Sequence, residues 1–446
     1  MKKLLSLVLA VLLTMSMLSV ASAEQSKVKL TIMYGTDSGR DLAGDWIRHA
    51  YEQWDKKDQV ELELLSQTSS HTEMFAKADL MMQSEDTAPD IYLDDSFQAV
   101  SDSAAGYLMD MSEALSSWTT WTDGSFFEAS KLMCRGEHGG IYGIPYSTDT
   151  RGLWVNTEIL AQAGIADDWQ PETWEELLDG LRQIKANVPG VIPFWYRPIA
   201  NTEGTVVNTL LMALMGTEDG LYDWENGKWN VYSQGLLDAF TFFATTIDEG
   251  LTGPASEMIS TNSDSYGYQH MSSGELAIQL HGNYTANGQY AASASFPMEG
   301  YETKLKFLKM PKQNGGYVTM SGGWGVTVPE KSQHKDLALE FCEVMMDDVD
   351  ALCAMLVASG SITCRDLSSA SNYEEYANIP FNEVASSYLE WTQYRPQIGT
   401  YSQVSSLLAA TLETVVTGTS PEEAMKNFAR DVENALGIDA TERTLQ

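Results

Sequence analysis

Aromatic side chains stand beside polar and charged ones in four segments of this sequence. The segments are Phe194-Trp195-Tyr196-Arg197, Asn283-Tyr284, Ser321 to Gly325 around Trp324, and Tyr394-Arg395 with Tyr401 nearby. A sugar has apolar C–H faces and a rim of hydroxyls, so flat rings together with Asp, Asn or Arg side chains hold it well. Aromatic rings also dominate protein cores, and some of these rings will pack there instead. The composition therefore indicates a sugar pocket and leaves open which rings line it.

Asp94, Asp95 and Asp149 are the carboxylates that an enzyme would use. A glycoside hydrolase places its two catalytic carboxyl groups roughly 5–10 Å apart, whereas Asp94 and Asp95 are adjacent and would point to opposite sides of a strand. The sequence contains no GxSxG elbow, P-loop or dinucleotide fingerprint. Because the chain has 62 acidic residues, carboxylate pairs also arise by chance. A carbohydrate-active enzyme is therefore an alternative that no motif supports.

Alternating strand and helix patterns in the N-terminal region would position these residues. Strand patterns cover Val28 to Ile32, Val60 to Leu64 and Pro89 to Leu93, and helical spacing covers Trp46 to Trp54 and Met74 to Met82. This order of elements predicts an α/β region with a largely parallel sheet.

Two loops follow the carboxyl ends of these predicted strands. One runs from Tyr34 to Arg40, and the other begins with Asp94, Asp95 and Ser96. Ligands of α/β sheets bind in loops beyond the carboxyl ends of the strands. Ordinary solvated turns occupy the same position, so position alone leaves both interpretations open.

Three later segments show helix patterns whose apolar faces we assign to cores. Thr173 and Glu176 form a capping box before a helix that continues to Ile184. Pro421 at the first position predicts a second helix, and residues 335–346 predict a third.

The first 23 residues are predicted to be a signal peptide. Lys2 and Lys3 precede an apolar run, residues 4–20, and Ala21-Ser22-Ala23 provides the small residues that signal peptidase accepts. The run is short for a membrane span, which needs about 20 residues, although a retained anchor is the alternative. No Cys lies near the cleavage site. We therefore expect an exported protein, periplasmic or extracellular, without a lipid-anchored cysteine.

Size, charge and composition narrow the class of protein. Removing 23 of the 446 residues leaves 423, more than one core usually contains, so at least two lobes are expected. The net charge of −35 repels nucleic acid, whose binding requires Lys and Arg. The six histidines form no HExxH or Cys/His pattern, so we expect no metal and no cofactor.

Four cysteines are spread through the chain. Cys134, Cys342, Cys353 and Cys364 lie too far apart in sequence for a zinc knuckle or a CxxC pair. Either a disulfide or buried free thiols fits an exported protein, and the sequence does not choose between them.

Several segments, in their shared order, resemble the extracellular solute-binding proteins of carbohydrate ABC importers, the group that includes maltose-binding protein. The segments are PDIYLDD at 89–95, GIYGIPYSTDTRGLWVNTEILAQAGI at 140–165, PETWEELLDGLRQIK at 171–185, GELAIQLHGNY at 274–284, SGGWGVTVPEKSQHKDLALEF at 321–341 and YRPQIGTY at 394–401. The resemblance extends over nearly the whole mature chain.

The resemblance implies an α/β, two-lobed periplasmic-binding-protein fold of type II, with the ligand cleft between lobes joined by hinge crossings. It implies an N-lobe made of residues 24–150 and 322–390 and a C-lobe made of residues 151–321 and 391–446. The cleft positions that it implies are Tyr34, Arg40, Asp94, Asp95, Ser96, Asp149, Arg151, Trp195, Tyr196, Tyr284, Trp324, Arg395 and Tyr401. Asp149 stands where relatives place a sugar-binding carboxylate, and Tyr284 where a stacking Trp is frequent.

The implied function is the substrate-binding subunit of a bacterial ABC transporter. It would capture a sugar or oligosaccharide outside the cytoplasmic membrane and deliver it to the transmembrane subunits of the permease. We expect a monomer that closes over its ligand by hinge motion, catalyses no reaction and binds no nucleic acid. The alternatives are a binding protein for a polyol or peptide, a secreted carbohydrate-active enzyme, and an adhesion or sensor-partner role at the cell surface.

Overall fold

The structure is a computed structural model that describes residues 27–36, 40–68, 71–200 and 202–445. The signal peptide predicted for residues 1–23 and residues 37–39 of the first predicted loop lie outside these described residues. No helix within the described ranges is long and apolar enough to cross a membrane.

Strands and helices alternate along the chain. The described strands are β1 (Val28–Gly35), β2 (Val60–Gln67), β3 (Ile91–Asp95), β4 (Ile144–Thr148), β5 (Arg151–Asn156), β6 (Ile192–Trp195), β7 (Tyr222–Asp223), β8 (Lys228–Tyr232), β9 (Leu276–Gly282), β10 (Leu305–Leu308), β11 (Met310–Pro311), β12 (Tyr317–Met320), β13 (Gly323–Thr327), β14 (Ile362–Thr363), β15 (Thr392–Gln393) and β16 (Thr441–Arg443). The described α-helices are α1 (Leu42–Gln53), α2 (His71–Met82), α3 (Ser96–Ala104), α4 (Ser112–Ser117), α5 (Thr119–Thr122), α6 (Glu128–Lys131), α7 (Thr157–Ala163), α8 (Trp174–Asn187), α9 (Glu203–Thr205), α10 (Leu211–Leu214), α11 (Gln234–Asp248), α12 (Ala255–Met258), α13 (Ser263–Ser272), α14 (Tyr301–Lys304), α15 (Lys335–Asp347), α16 (Val349–Ser359), α17 (Tyr373–Ala377), α18 (Asn382–Ser387), α19 (Tyr401–Val416) and α20 (Pro421–Leu436). Short π-helical turns lie at Val206–Leu210 and Ala286–Tyr290, and 3-10 turns at Tyr388–Trp391 and Ile438–Ala440.

The first large sheet has the strand order β14-β4-β13-β3-β1-β2 among the described residues. β1 pairs in parallel with β2 and β3, but β13 runs antiparallel to β3 and β4. The parallel arrangement predicted for the N-terminal strands is therefore confirmed for β1, β2 and β3, whereas the later strand β13 adds antiparallel pairs to the same sheet. The route of the chain is the cause, because β13 enters at Gly323, beside the ends of β3 and β4, and must run back along them.

The second large sheet has the described order β10-β5-β9-β6. β5 is antiparallel to both β9 and β10, and β6 is parallel to β9. Arg151 at the start of β5 lies opposite Gly282 at the end of β9. The chain therefore enters this sheet at the edge where β9 ends. Smaller three-stranded sheets, β11-β12-β15 and β16-β8-β7, flank it.

Each large sheet is covered by its own helices. Leu30, Ile32 and Tyr34 of β1 pack with Trp46 of α1 and Phe341 of α15 in one core. The second core contains the apolar face of α8, strand β9 and the paired C-terminal helices α19 and α20, which also pack on α11. The apolar faces predicted for the helices starting near Thr173, Lys335 and Ser420 are buried.

Two predicted helix starts are confirmed by their caps. The Thr173 side chain accepts a hydrogen bond from the Glu176 N–H at 3.2 Å, and the Ser420 side chain accepts one from the Glu423 N–H. The Glu176 carboxylate accepts from the N–H of Glu172 at 2.7 Å, one residue earlier than in a standard capping box. The helix therefore begins where the pattern placed it.

The four cysteines are buried free thiols in this structure. Burial raises the pKa of each thiol, to about 11 for Cys353 and to about 12 for Cys364. A thiol with a raised pKa is a poor nucleophile, so these side chains act as small apolar groups.

Leu181→Ala tests the buried face of α8. Leu181 is fully buried, so truncation should lower the free energy of unfolding by about 2–5 kcal/mol. The measurement is urea unfolding of the protein without its predicted signal peptide, followed by tryptophan fluorescence. Leu80→Ala, at a helical position that is 70% exposed, should change it by less than about 0.5 kcal/mol. Equal losses in the two variants would contradict the assignment.

Candidate ligand-binding site

Two short crossing segments connect the sheets. Residues 149–150 join β4 to β5, and residues 321–322 join β12 to β13. The segments bond to each other, since the Thr148 hydroxyl donates to the carbonyl of Gly322 at 2.8 Å and the Gly322 N–H donates to the Asp149 carboxylate at 2.8 Å. The ends of β3, β4 and β9 therefore meet at one place, which is where α/β sheets bind ligands.

Asn283 joins these crossings to a third part of the chain. Its side-chain oxygen accepts from the Thr150 N–H at 3.0 Å, and its amide donates to the carbonyl of Gly360 at 3.0 Å. The Thr150 hydroxyl donates to the carbonyl of Ala385 at 3.0 Å. Thr150, Asn283 and Gly360 each lie just after the end of a strand or helix, and Ala385 lies within α18, so this network ties four parts of the chain together where the sheets meet.

Arg151 is the buried centre of the crossing. Its Nε donates to the side-chain oxygen of Asn208 at 2.9 Å, its Nη1 donates to the carbonyl of Met320 at 3.1 Å, and Nη1 also pairs with Asp149. Asn208 lies in the π-helical turn Val206–Leu210, and such turns are frequent at functional sites. Tyr284 lies near this group, and burial raises its pKa to about 12.

Arg395 forms a second charged group, which spans the two sheets. Its Nη1 lies 3.2 Å from the carboxylate of Asp95 at the end of β3, and its Nε lies 3.6 Å from the carboxylate of Glu203. Its guanidinium carbon is 5.1 Å from the ring centroid of Phe97. Glu203 also accepts from the Tyr401 hydroxyl at 2.7 Å. We call Asp95, Arg395 and Glu203 the arginine bridge.

Burial and ion pairing together set the pKa values of the three residues of the arginine bridge. Burial raises the pKa of Asp95 and of Glu203, and the neighbouring Arg395 opposes that rise in both. Burial alone would lower the pKa of Arg395, but Asp95 and Glu203 outweigh it and raise that pKa instead. Arg395 therefore stays charged, and its charge keeps the carboxylates ionised more than their burial would allow.

Gly322 leaves the space that both arginines fill. A Cβ at this position would lie 2.1 Å from Nη2 of Arg395 and 3.3 Å from Nη2 of Arg151. A Cβ at Gly323 would lie 2.0 Å from the carbonyl oxygen of Ser147 on β4. Glycine is therefore required at 323 by the close approach of backbone, and at 322 it leaves room for the two guanidinium groups in their present positions.

Aromatic rings extend from the crossing along the first sheet. Trp324 makes an edge contact with His71 at 5.0 Å between centroids and lies 6.4 Å from Phe75. Phe75 contacts Phe97 at 5.4 Å, and Phe97 contacts Tyr401 at 6.2 Å. We call Trp324, Phe75 and Phe97 the aromatic wall; it stands next to the arginine bridge.

Three of the predicted cleft residues, Tyr34, Trp195 and Tyr196, are almost fully buried in this structure. Tyr34 packs in the same core as Leu30 and Ile32, because alternate residues of β1 share one face. Trp195 is buried and donates to the carbonyl of Ser263 at 3.1 Å. Tyr196 is buried next to Phe243 and Thr246, with its hydroxyl 3.0 Å from the Thr246 hydroxyl. The cause is common to all three, since helices cover the faces on which they lie.

Arg40 and Ser96, two further predicted cleft residues, are each in contact with a helix. Arg40 donates from Nη1 to the carbonyl of Ala358, near the end of α16, at 3.0 Å. Ser96 is buried as the first residue of α3, directly after Asp95, whose side chain caps that helix through the Phe97 N–H. Ser96 therefore stands beside the arginine bridge, and Arg40 is engaged with α16.

Asp94 lies behind the bridge in an interior acidic cluster. It is fully buried, and neither of its carboxylate oxygens has a hydrogen-bond partner of normal geometry. Burial and the nearby carboxylates of Asp102, Asp95 and Asp79 raise its pKa well above the ordinary value. Gln98 donates to Asp102 at 2.8 Å. Burial therefore favours the neutral form of the Asp94 carboxyl, whereas Asp95 is paired with Arg395.

The structure also brings in residues that are not among the predicted cleft positions. Glu203, Asn208, Asn283 and Phe97 complete the charged groups and the aromatic wall. Asn283 carried a signal, because it directly follows the end of a buried strand; the other three lie in helical segments with no motif. Within the described ranges, the His, Cys, Asp and Glu side chains form no group of three or more that could hold a metal ion.

Comparisons with known proteins agree with this geometry. A family model described as bacterial extracellular solute-binding protein matches residues 40–349, which is well over half of the chain. The chain is 25% identical over 373 residues to a lactose-binding protein of Rhizobium radiobacter, covering 79% of this chain and 82% of that protein.

Two solved structures share the fold. MalE3 of T. maritima with bound maltose superimposes with a TM-score of 0.77 and 19% identity, over 92% of this chain and 100% of that chain. A solute-binding protein from Thermotoga lettingae TMO with bound alpha-D-tagatose gives a TM-score of 0.74 and 21% identity, over 92% and 100%. The architecture is therefore the two-lobed, type II periplasmic-binding-protein fold, as the sequence predicted.

Asp94→Asn tests the interior acid through pH. The raised pKa means that the stability linked to Asp94 is complete below the unfolded pKa, about 3.9, and is lost as pH rises through the folded pKa. Asn is neutral at every pH, so the variant should melt at a higher temperature than the wild type at pH 8 and at the same temperature near pH 4.

The control for this measurement is Asp86→Asn. Asp86 is exposed, so its removal should leave the melting curve unchanged at both pH values. Equal melting of Asp94→Asn and the wild type at pH 8 would show that Asp94 is charged in the folded protein.

Proposed function

Since this chain belongs to the bacterial extracellular solute-binding protein family, we propose that it is the substrate-binding subunit of an ABC importer that captures a sugar or small oligosaccharide. The family match covers residues 40–349. Support for a sugar comes from the lactose-binding relative and from the maltose-bound structure with the same fold. We further propose that the protein is exported by its predicted signal peptide, acts as a monomer and delivers its ligand to the permease.

The observation that carries the sugar assignment is the aromatic wall beside two paired arginines. Trp324 is the partly exposed ring of this wall, and Phe75 and Phe97, which are only 8% and 9% exposed, continue the row of rings beside it. Arg151 pairs with Asp149, and Arg395 pairs with Asp95 and Glu203, so each cationic group already has an anionic partner. A neutral, hydroxyl-rich ligand suits such a surface, because it supplies both donors and acceptors without adding charge.

The proposed mechanism is closure of the two lobes over the ligand. The crossing segments at Asp149 and Gly322 are the hinge, and the ligand binds between residues from both lobes. A ligand that contacts both lobes favours the closed form by its differential affinity for that form. The permease would recognise the closed form, and no covalent bond changes.

We propose no catalytic role for the carboxylates. Asp94 is a buried interior acid without a hydrogen-bond partner, whereas Asp95 is ion-paired to Arg395. A hydrolase of the two-carboxylate type needs both groups to face the same glycosidic bond. This difference in surroundings favours binding over hydrolysis.

For the lobes, we propose the boundaries implied by the sequence, with one adjustment. The strands of the first sheet lie within residues 24–150 and 322–390, and those of the second sheet within residues 151–321. Phe381 contacts Trp154, and Tyr388 stacks on Phe307 at 5.3 Å, so residues 381–390 pack on the second sheet. We therefore place the last crossing near residue 380 rather than 390.

A thermal-shift screen tests the function directly. The mature protein is melted with mono- and oligosaccharides, polyols, amino acids and peptides. A ligand of the folded state should raise the melting temperature, since at a hundredfold excess over Kd it stabilises the protein by about 2.7 kcal/mol. A shift with one sugar class is expected. A shift only with a polyol or peptide would refute the sugar assignment and keep the binding-protein function.

Trp324→Ala tests the aromatic wall with the sugar found in that screen. Loss of a stacking ring at the centre of a binding surface should cost about 2 kcal/mol or more, which is roughly thirtyfold in Kd. The measurement is isothermal titration calorimetry. Trp224→Ala is the matched control, because Trp224 is 66% exposed on the β7–β8 turn. Equal affinity of both variants would place the ligand elsewhere.

A further inference from the structure

Arg395 makes contacts that a ligand of the cleft would be expected to make. Its guanidinium donates to Asp95 on the first sheet, approaches Glu203 on the other side, and lies over the ring of Phe97. The side chain is only 6% exposed. A hydroxyl donating to a carboxylate and an apolar face against a ring are also the contacts by which a sugar is held.

Glu203 is held in place independently of Arg395. One of its oxygens accepts from the Tyr401 hydroxyl at 2.7 Å, and the other accepts from the Ser405 hydroxyl. Both partners lie in α19, which packs with α20 and α11. Glu203 is therefore a rigid acceptor that can direct the guanidinium of Arg395 towards Asp95.

The chain that follows Arg395 makes further contacts with the first lobe. Gln397 donates to the carbonyl of Leu132 at 2.7 Å, and the N–H of Gly399 donates to Glu137 at 2.9 Å. The hydroxyls of Ser402 and Ser101 lie 3.1 Å apart. These are exposed or partly exposed bonds, which water and salt weaken more than they weaken the buried contact between Arg395 and Asp95.

We propose that Arg395 is a built-in stand-in for the ligand, which bridges Asp95 and Glu203 in the empty protein and holds the cleft closed, with Glu203 as its positioning residue. A ligand then takes over Asp95 and the face of Phe97, while Arg395 stays with Glu203. The empty protein thus populates a closed form before it meets a solute. This inference concerns the ligand-free protein and holds whichever solute the cleft binds.

Added salt should weaken the arginine bridge and favour the open form. In the closed form the three charges are buried and weakly screened, whereas opening exposes them to water and to ions. Salt therefore stabilises the open form relative to the closed one. The Debye length falls from about 10 Å at 0.1 M to about 3 Å at 1 M, which covers the range to be scanned.

The experiment is small-angle X-ray scattering of the ligand-free mature protein between 0.05 and about 1 M NaCl. The wild type should have its smallest radius of gyration at low salt, and this radius should increase with salt. Arg395→Gln should show at low salt the radius that the wild type reaches only at high salt. Glu203→Gln, which keeps an acceptor for Tyr401 but removes the charge, should shift in the same direction.

The matched control is Arg182→Gln, which removes an arginine paired with Glu175, Asp179 and Glu249 within the second lobe. It should reproduce the wild-type radius at every salt concentration, and far-UV circular dichroism should show that all variants are folded. Equal radii for Arg395→Gln and the wild type at low salt would overturn the proposal, as would an open wild type at low salt. A shift in Arg182→Gln as large as that in Arg395→Gln would also overturn it. No sugar is present, so a failed thermal-shift screen and a failed scattering test are separate results.

Discussion

The hydrogen bonds between the two crossing segments are the constraint on which the cleft depends. Only Asp149 and Thr150 separate β4 from β5, and only Ser321 and Gly322 separate β12 from β13. Such short connections force the strand ends of the two sheets to face each other across a few ångströms. Because the Gly322 N–H bonds to Asp149, the two connections move as one unit, and any opening of the cleft must turn about them. The two arginine groups described above therefore lie close to the connections between the sheets.

Charge pairing follows from that geometry. Strand ends gather side chains where little water remains, so an arginine there is stable only with a carboxylate beside it. Arg151 has Asp149 two residues away along the chain, and this pair stays within the crossing. Arg395 finds its partners at Asp95 and Glu203, which lie on opposite sides of the cleft. The pair of Arg151 and Asp149 lies within one crossing segment, so movement of the lobes need not break it. The contacts of Arg395 connect different segments, so they form only when those segments are close together. Gly322 lies next to both guanidinium groups.

The sequence predicted local structure better than it predicted contacts across the cleft. Alternation along β1 located that strand, and the same alternation applied two residues further would have assigned Tyr34 to the core with Leu30 and Ile32. Trp195 was predicted as a cleft residue because it stands in an aromatic segment beside Arg197 and because of the family resemblance, but packing against the helix that begins at Ser263 buries it. Glu203 gave no signal, since its partner Arg395 lies almost 200 residues later and meets it only in the folded chain. Family resemblance supplied Arg395 and Asp95, while their pairing is a property of the three-dimensional structure.

A stand-in for the ligand has a consequence for selectivity. When part of the protein is closed without a ligand, the apparent affinity for every solute falls by the fraction of molecules that remain open. A solute that makes only the contact to Asp95 gains a binding free energy little larger than that of the Arg395–Asp95 contact it replaces. Such a solute hardly shifts the equilibrium between the empty and the ligand-bound protein. A solute that also covers Trp324 and Phe75 adds contacts that the arginine cannot make. Competition with Arg395 thus penalises small, poorly matched ligands more than it penalises one that fills the aromatic wall. Selectivity of this kind arises from a difference between two binding free energies, and no steric gate is needed to produce it.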